Sequence, residues 1–329
     1  MRDELPKTSP SWIPLGIFLL VMLFTPLGRI WPLFVVGIGV LIWVKRVRLE
    51  TGLLWAGVAF AGGVLNAGAW SPATLAPTFR DEGADVQRLP ENFKRLEVRG
   101  FNGFIRVTAR RGTSDVRFER KGGSSVTLER RGDTVVITTR RPFFSFNSGV
   151  NITLDIPENL QVDLQTSNGF VEVQGRIAKL TVKTSNDRIA VRDTGTADLR
   201  LETSNDDINL ERLAGTLHAR SSNGSIRLLD SSLSLDAQTD NASITLERVT
   251  LTNNTRSRAV TSNGSITVAG LNAPSGLLIR GATSNARMDV NTPGLNVRLE
   301  DARFEARRDG FGTAELELKT DNDRITVRP

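Results

Sequence analysis

Thr166-Ser167-Asn168-Gly169-Phe170-Val171-Glu172-Val173 is the stretch that decides the fold, because versions of it recur down the chain. Thr184-Ser185-Asn186-Asp187, Thr203-Ser204-Asn205-Asp206, Ser221-Ser222-Asn223-Gly224 and Thr239-Asp240-Asn241-Ala242 follow at steps of 18 or 19 residues. Thr261-Ser262-Asn263-Gly264 and Thr283-Ser284-Asn285-Ala286 come at steps of 22, and Thr320-Asp321-Asn322-Asp323 closes the series 37 residues later. A worn copy at Glu300-Asp301-Ala302-Arg303 is expected to fill that double step. A fixed period near 20 residues is the signature of stacked repeats.

On either side of each motif the sequence alternates apolar with polar. Leu180 and Val182 precede one motif and Ile189 and Val191 follow it; Leu199, Leu201, Ile208 and Leu210 surround the next. Leu217, Ala219, Ile226 and Leu228, then Leu235, Ala237, Ile244 and Leu246, continue the pattern. Period-2 alternation of aliphatic residues predicts half-buried strands. Thr/Ser-Asn-Gly/Asp between them is bend chemistry, since Asn and Gly tolerate left-handed backbone angles. One unit buries about four aliphatic side chains at roughly 1.5–3 kcal/mol each. Ordering its backbone costs roughly 1–2 kcal/mol per residue. Units must therefore stack, which predicts an all-β, single-stacked β-solenoid of 18–22-residue repeats over 161–329. Stacking lines up Asn168, Asn186, Asn205, Asn223, Asn241, Asn263, Asn285 and Asn322 as a structural ladder of hydrogen-bonded amides, the alternative being a row of exposed Asn that binds a ligand. The expectation is that these amides are buried and that Asn322 ends the row.

Upstream, Asn102-Gly103 between Leu96/Val98 and Ile105/Val107 is an early relative of the motif. Alternating runs at 116–118, 126–128 and 135–137, separated by Lys121-Gly122-Gly123 and Arg131-Gly132-Asp133, predict a β-meander. Within 91–160 it would cap the open strand edge of the array. The net charge is +6, and residues 81–141 hold 14 Lys and Arg against 9 Asp and Glu. Arg110-Arg111, Arg120-Lys121, Arg130-Arg131 and Arg140-Arg141 are the clusters expected to meet an anionic surface, whether anionic lipid or phosphate-bearing wall polymer.

Residues 1–70 have a different character. Apolar stretches at 12–25, 30–44 and 53–70 extend with their flanks to three spanning helices, about 10–28, 29–47 and 52–70. Trp12, Trp31, Trp43 and Trp70 lie near their ends, where interfacial aromatics belong. Lys45, Arg46 and Arg48 mark the loop between the second and third segments as cytoplasmic. That places the N-terminus inside and everything after the third crossing outside. Residues 71–90, rich in Pro, Ala and polar residues, read as a linker.

Catalytic material is sparse. The chain has no cysteine and one histidine, His218, which alternation points outward. That leaves no stock for a thiolate or His-based metal site or a His-dependent triad. Asp187, Asp206 and neighbouring Asp207 fall close together on adjacent units, where they would share a cation or a proton, the plainer alternative being charge pairing of Asp187 with Arg188 at the turn. Phe143-Phe144-Ser145-Phe146 is the one aromatic cluster of the outer region; packing into the cap is the simpler fate for it, and an exposed binding or membrane-touching tip the alternative. Nothing in the sequence requires a cofactor, and a location outside the membrane argues against nucleic acid as a partner.

The strand repeats, entered through Ile152-x-Leu154-x-Ile156-Pro157, resemble the bacterial β-strand-repeat adhesin-type domain also called toastrack, over about 96–327. The N-terminal region, with Pro14-Leu15-Gly16-Ile17 and Trp31-Pro32-Leu33-Phe34-Val35-Val36-Gly37-Ile38-Gly39, is similar to the LiaI/LiaF-type transmembrane region. The resemblance implies surface adhesion or envelope-stress sensing, and it brings no catalytic residues. The expected function is a membrane-anchored extracytoplasmic module that binds or scaffolds envelope components, with the lipid bilayer and other membrane proteins among its partners. The alternative is a polysaccharide-active β-helix enzyme.

Overall fold

Strand β10 (Lys179–Lys183) shows how the repeat is built. It runs parallel and in register between β8 (Gln161–Gln165) and the second half of β11 (Ile189–Glu202), with Leu180 opposite both Val162 and Leu199. The computed structural model describes residues 84–141 and 148–329, all within a unit spanning Glu82–Pro329. The three predicted membrane segments, residues 71–83 of the predicted linker and Phe143 to Phe146 lie outside the described residues.

Each repeat contributes one strand to each of two sheets. The long strands β11 and β12 (Ile208–Arg220) cross from one sheet to the other. Residues 189–192 of β11 pair with β9 (Val171–Gly175) and with 208–211 of β12, whereas 198–202 pair with β10 and with 216–220 of β12. The first sheet continues through β14 (Ser232–Thr239) and β17 (Arg256–Thr261). The second continues through β13 (Ile226–Leu229), β15 (Ile244–Glu247) and β18 (Ile266–Ala269). All these pairings are parallel, so the region is all-β and stacked rung on rung as in a β-solenoid. The 22-residue steps carry extra loops, one around 252–255 after the two-residue β16 (Thr250–Leu251) and one at 273–276.

The core is the thin layer between the sheets, and it is organised in columns. Ile105, Val171, Ile189, Ile208, Ile226, Ile244, Ile266 and Ile325 form one column, none more than 1% exposed. Another runs Leu201, Ala219, Ala237, Ala259, Leu318 and Gly281. Phe304 fills the space a side chain at Gly281 would take.

Rung order departs from chain order at both ends. β2 (Arg95–Arg99) lies between β8 and the later β6 (Thr134–Arg140), and β3 (Ile105–Ala109) lies between β9 and β7 (Gly149–Ile156). At the other end β23 (Ala314–Thr320) inserts between β17 and β19 (Leu277–Thr283), and β24 (Ile325–Arg328) between β18 and β20 (Met288–Val290). The last strands of the chain are thus interior to the stack.

Three expectations are corrected here. The meander is split, because each sheet has its own open edge to cover. β4 (Asp115–Lys121) pairs antiparallel with β7 and β1, whereas β5 (Ser125–Arg131) pairs antiparallel with β6. The linker ends sooner than residue 90: Ala84–Arg88 is strand β1, and Leu89 is buried. The worn copy at 300–303 is no rung but the turn of an antiparallel hairpin, β21 (Asn296–Glu300) with β22 (Arg303–Arg308), Asp301 taking a φ of 33°. Residues 314–329 supply the rung that copy was meant to provide.

Candidate binding surfaces

At the first bend of nine successive rungs the Asn side chains form one continuous chain of amide hydrogen bonds. Asn186 Nδ2 donates to Asn168 Oδ1 at 2.6 Å, Asn205 to Asn186 at 2.7 Å, Asn223 to Asn205 at 2.9 Å, and Asn241 to Asn223 at 2.8 Å. Asn263 donates to Asn241 at 2.9 Å, Asn322 to Asn263 at 2.8 Å, and Asn285 to Asn322 at 2.9 Å. At the opposite end Asn168 donates to Asn102 at 2.7 Å, and Asn102 to the Ser148 carbonyl at 3.0 Å. All nine donors point the same way along the stack. Asn102 joins the row, and Asn322 sits inside it while Asn285 ends it.

The amides are not buried as expected: the eight from Asn168 onward are solvent-exposed. The bend turns the Asn outward and sends the Thr or Ser two places earlier into the core. Thr166, Thr184, Thr203, Ser221, Thr239, Thr261, Thr283 and Thr320 are all buried. Most of their hydroxyls donate to a carbonyl of the adjacent rung, as Thr239 does to Gly224 at 2.9 Å and Thr320 to Gly264 at 2.8 Å. An exposed hydrogen bond is worth about 0.5–1.5 kcal/mol. Asn223→Ala and Asn322→Ala, each breaking two ladder bonds, should therefore cost about 1–2 kcal/mol in chemical denaturation. Asn285→Ala should cost about half as much. A smaller loss at Asn322 than at Asn285 would contradict the rung order.

The second bend carries a column that sequence reading missed. Gly175, Asp193, Arg212, Asp230, Arg248 and Gly270 all have left-handed backbone angles, φ from 47° to 99°. Their side chains alternate in charge: Arg212 Nη2 lies 3.1 Å from Asp193 Oδ2, and Arg248 Nη2 2.9 Å from Asp230 Oδ2. The hydrogen bond from Arg212 holds the Asp193 carboxyl below its ordinary range, and that from Arg248 does the same for Asp230. The signal is a charged residue at a constant offset after Ile189, Ile208, Ile226 and Ile244, but Arg is an unusual choice for a left-handed position.

The outward sheet faces are likewise ion-paired. Glu172 accepts from Arg106 at 2.8 Å and also pairs with Arg192; the hydrogen bond from Arg106 lowers its pKa. Beside it the Phe104 and Phe170 rings stack with centroids 5.0 Å apart, Arg188 lying 5.5 Å over Phe170. A groove of about 300 Å³ on this face is lined by Phe170, Glu172, Arg188, Asn209 and Arg227 among others. A larger one of about 630 Å³ lies on the first sheet, between Arg256, Arg280, Glu315 and the β21–β22 hairpin.

The eight cap cations do not converge. Arg110, Arg111, Arg130 and Arg131 lie at the second-bend edge, where β3 ends and β6 begins; Arg120, Lys121, Arg140 and Arg141 lie at the first-bend edge, where β4 and β6 end. One strand length separates each cluster from the next, so clusters neighbouring in sequence fall at opposite ends of the strands. Several are committed: Arg110 to Asp155 at 3.0 Å, Arg111 to Glu158 at 3.3 Å, Arg120 to Asp85 at 2.8 Å and Arg131 to Glu129 at 2.7 Å. Among the described residues Lys121, Arg140 and Arg141 form no ion pair, and all three are exposed.

Asp187 and Asp206 serve their own bends, Asp187 Oδ1 accepting from the Arg188 N–H at 2.9 Å and Asp206 Oδ1 from the Asp207 N–H at 2.7 Å. Among the described residues no three His, Cys, Asp or Glu side chains are grouped to hold a metal ion. His218 faces outward, 3.7 Å from Asp236.

No protein-family model matches the sequence, and no curated protein does. Among solved structures, one described as a candidate cell adhesion protein from Clostridium sporogenes ATCC 15579 is similar over 75% of this chain and 98% of its own, at 8% identity and a TM-score of 0.27. A candidate adhesin from Parabacteroides distasonis ATCC 8503 is similar over 74% of this chain and 96% of its own, at 8% identity and a TM-score of 0.25.

Proposed function

We propose that the protein is a membrane-anchored, extracytoplasmic binding module whose ligand is an extended, polar, negatively charged polymer of the cell envelope. The observation that carries this reading is the edge formed by the first bends. Nine Asn amides follow one another there, at about 4.8 Å per rung, each spending one N–H on its neighbour and keeping a second. The row ends at Asn102 and Ser148, beside the strand ends that carry Lys121, Arg140 and Arg141. A long row of repeated donors with cations at one end suits a repeating partner better than a small molecule.

Where the pKa of a described carboxyl is displaced it is displaced downward: by Lys94 at Asp133, by Lys179 at Asp198, and at Glu202 by Lys183 and Arg200, which outweigh burial. The test uses the unit from Glu82 to Pro329, sedimented with anionic wall polymer, neutral glycan, and anionic or neutral vesicles. Binding to the anionic polymer should weaken about tenfold between low and high salt, since exposed charges are screened beyond about 8 Å at physiological ionic strength. Lys121→Glu with Arg140→Glu and Arg141→Glu should abolish it, whereas reversing the ion-paired Arg110 and Arg111 should not. Equal binding to neutral glycan, or to none of the four, would overturn the proposal.

A further inference from the structure

The two sheets do not end level. The second sheet stops at β20, which has three residues and pairs only with β24 among the described strands. The first sheet runs two strands further, through β22 to β21. On β22, Phe304 and Ala306 face the core and are 3% and 0% exposed. Their cross-strand partners on β21, Leu299 and Val297, point to the same side yet are 61% and 41% exposed, because nothing described lies opposite them. All five residues of β21 are exposed, and among the described strands none pairs with its outer edge.

An open edge with apolar side chains is a template for another strand. The other free edges among the described strands are blunted. β5 ends in the exposed, like-charged Arg130 and Arg131, β20 is short, and β1 has Asp85 tied to Arg120 at 2.8 Å. β21 instead carries self-complementary charge, with Arg298 and Glu300 on one side of the strand and Val297 and Leu299 on the other.

We propose that β21 joins two copies of this chain, edge to edge and antiparallel, about a two-fold axis at Leu299. Directly opposed residues in an antiparallel pair share a face. With Leu299 opposite Leu299 of the second copy, Arg298 falls opposite Glu300 of the second copy, and symmetry forms the same pair again. Arg298 and Glu300 now contact each other within the strand at 2.6 Å while 81% and 60% exposed, so each is free to exchange a solvated neighbour for a cross-strand one. A register shifted to centre on Arg298 would set two arginines against each other. The contact is isologous, so it uses up both edges and stops at a dimer, not a fibre.

The chain lacks cysteine, so Leu299→Cys gives a single reporter. Opposed residues in an antiparallel pair have Cα atoms about 4.5–5.5 Å apart, within disulfide reach. Mild oxidation of this variant should give a covalent dimer of twice 36.0 kDa. Val86→Cys, 57% exposed on β1, should stay monomeric. Adding Arg298→Glu to Leu299→Cys should reduce the cross-linked fraction at least tenfold, and adding Glu300→Arg to that should restore it. A Leu299→Cys variant that reacts with maleimide but never cross-links overturns the proposal, as does cross-linking of the Val86→Cys variant to the same extent. A Leu299→Cys thiol shielded from maleimide without a dimer also overturns it, and assigns the edge to another part of this chain or to a different protein.

Discussion

Deleting residues 314–329 should unravel the C-terminal part of the array back to β17 and β18, although only two strands are removed. In a solenoid stacked in chain order, losing the last repeat exposes one new edge and leaves the rest standing. Here β23 and β24 are held on both sides, by β17 and β18 on one and by β19 and β20 on the other. The deletion takes out Leu316, Leu318, Ile325 and Val327, each at most 1% exposed and worth about 1.5–3 kcal/mol. It also strands β19 and the β21–β22 hairpin, which have no other parallel neighbour among the described strands. Hydrogen exchange should show Leu277–Thr283 and Arg303–Arg308 losing protection together, while Lys179–Lys183 keeps it. Retained protection in β19 would mean that it docks elsewhere.

Ile208→Ala should cost about 2–5 kcal/mol, measured by chemical denaturation. Ile208 is fully buried in the second sheet, with Ile189 on one side and Ile226 on the other. Each rung has only a few core side chains, and its backbone is locked to both neighbours by parallel pairing. The rung cannot move inward to close the cavity without breaking register with the next, so collapse is poor and the cost sits in the upper part of that range. Met288 occupies the same column at its end, opposite Ile325, and is only partly buried. Met288→Ala should therefore cost no more than about half as much. Equal losses at the two positions would indicate that the end of the stack is covered.

Glycines in the bend show the same close stacking. A Cβ at Gly224 would overlap the Asp206 carbonyl, and one at Gly264 the Ala242 carbonyl. Asp187 and Asp206 fill the same place in other rungs, so the bend tolerates a side chain only where the preceding rung leaves room.

What the sequence by itself determined is whatever depends on one repeat compared with the next. Alternation at Leu199, Leu201, Ile208 and Leu210 assigned strands and core because period 2 is a local property of the backbone. The 18-residue step put Asn168 beside Asn186 because identical units stack in register. Three things were decided only in the tertiary structure. Outward Asn and inward Thr could not be told apart, since the bend from Thr203 to Asp207 breaks the alternation that carries the signal. The cap strands β4 and β5 joined different sheets, a choice between edges that equally suit either strand. Placing Asn322 between Asn263 and Asn285 was likewise beyond sequence reading. Every rung presents much the same parallel edge, so local pattern cannot rank one docking place above another. The order is fixed by contacts between residues far apart in the chain, such as those of Asn322 with Asn263 and with Asn285.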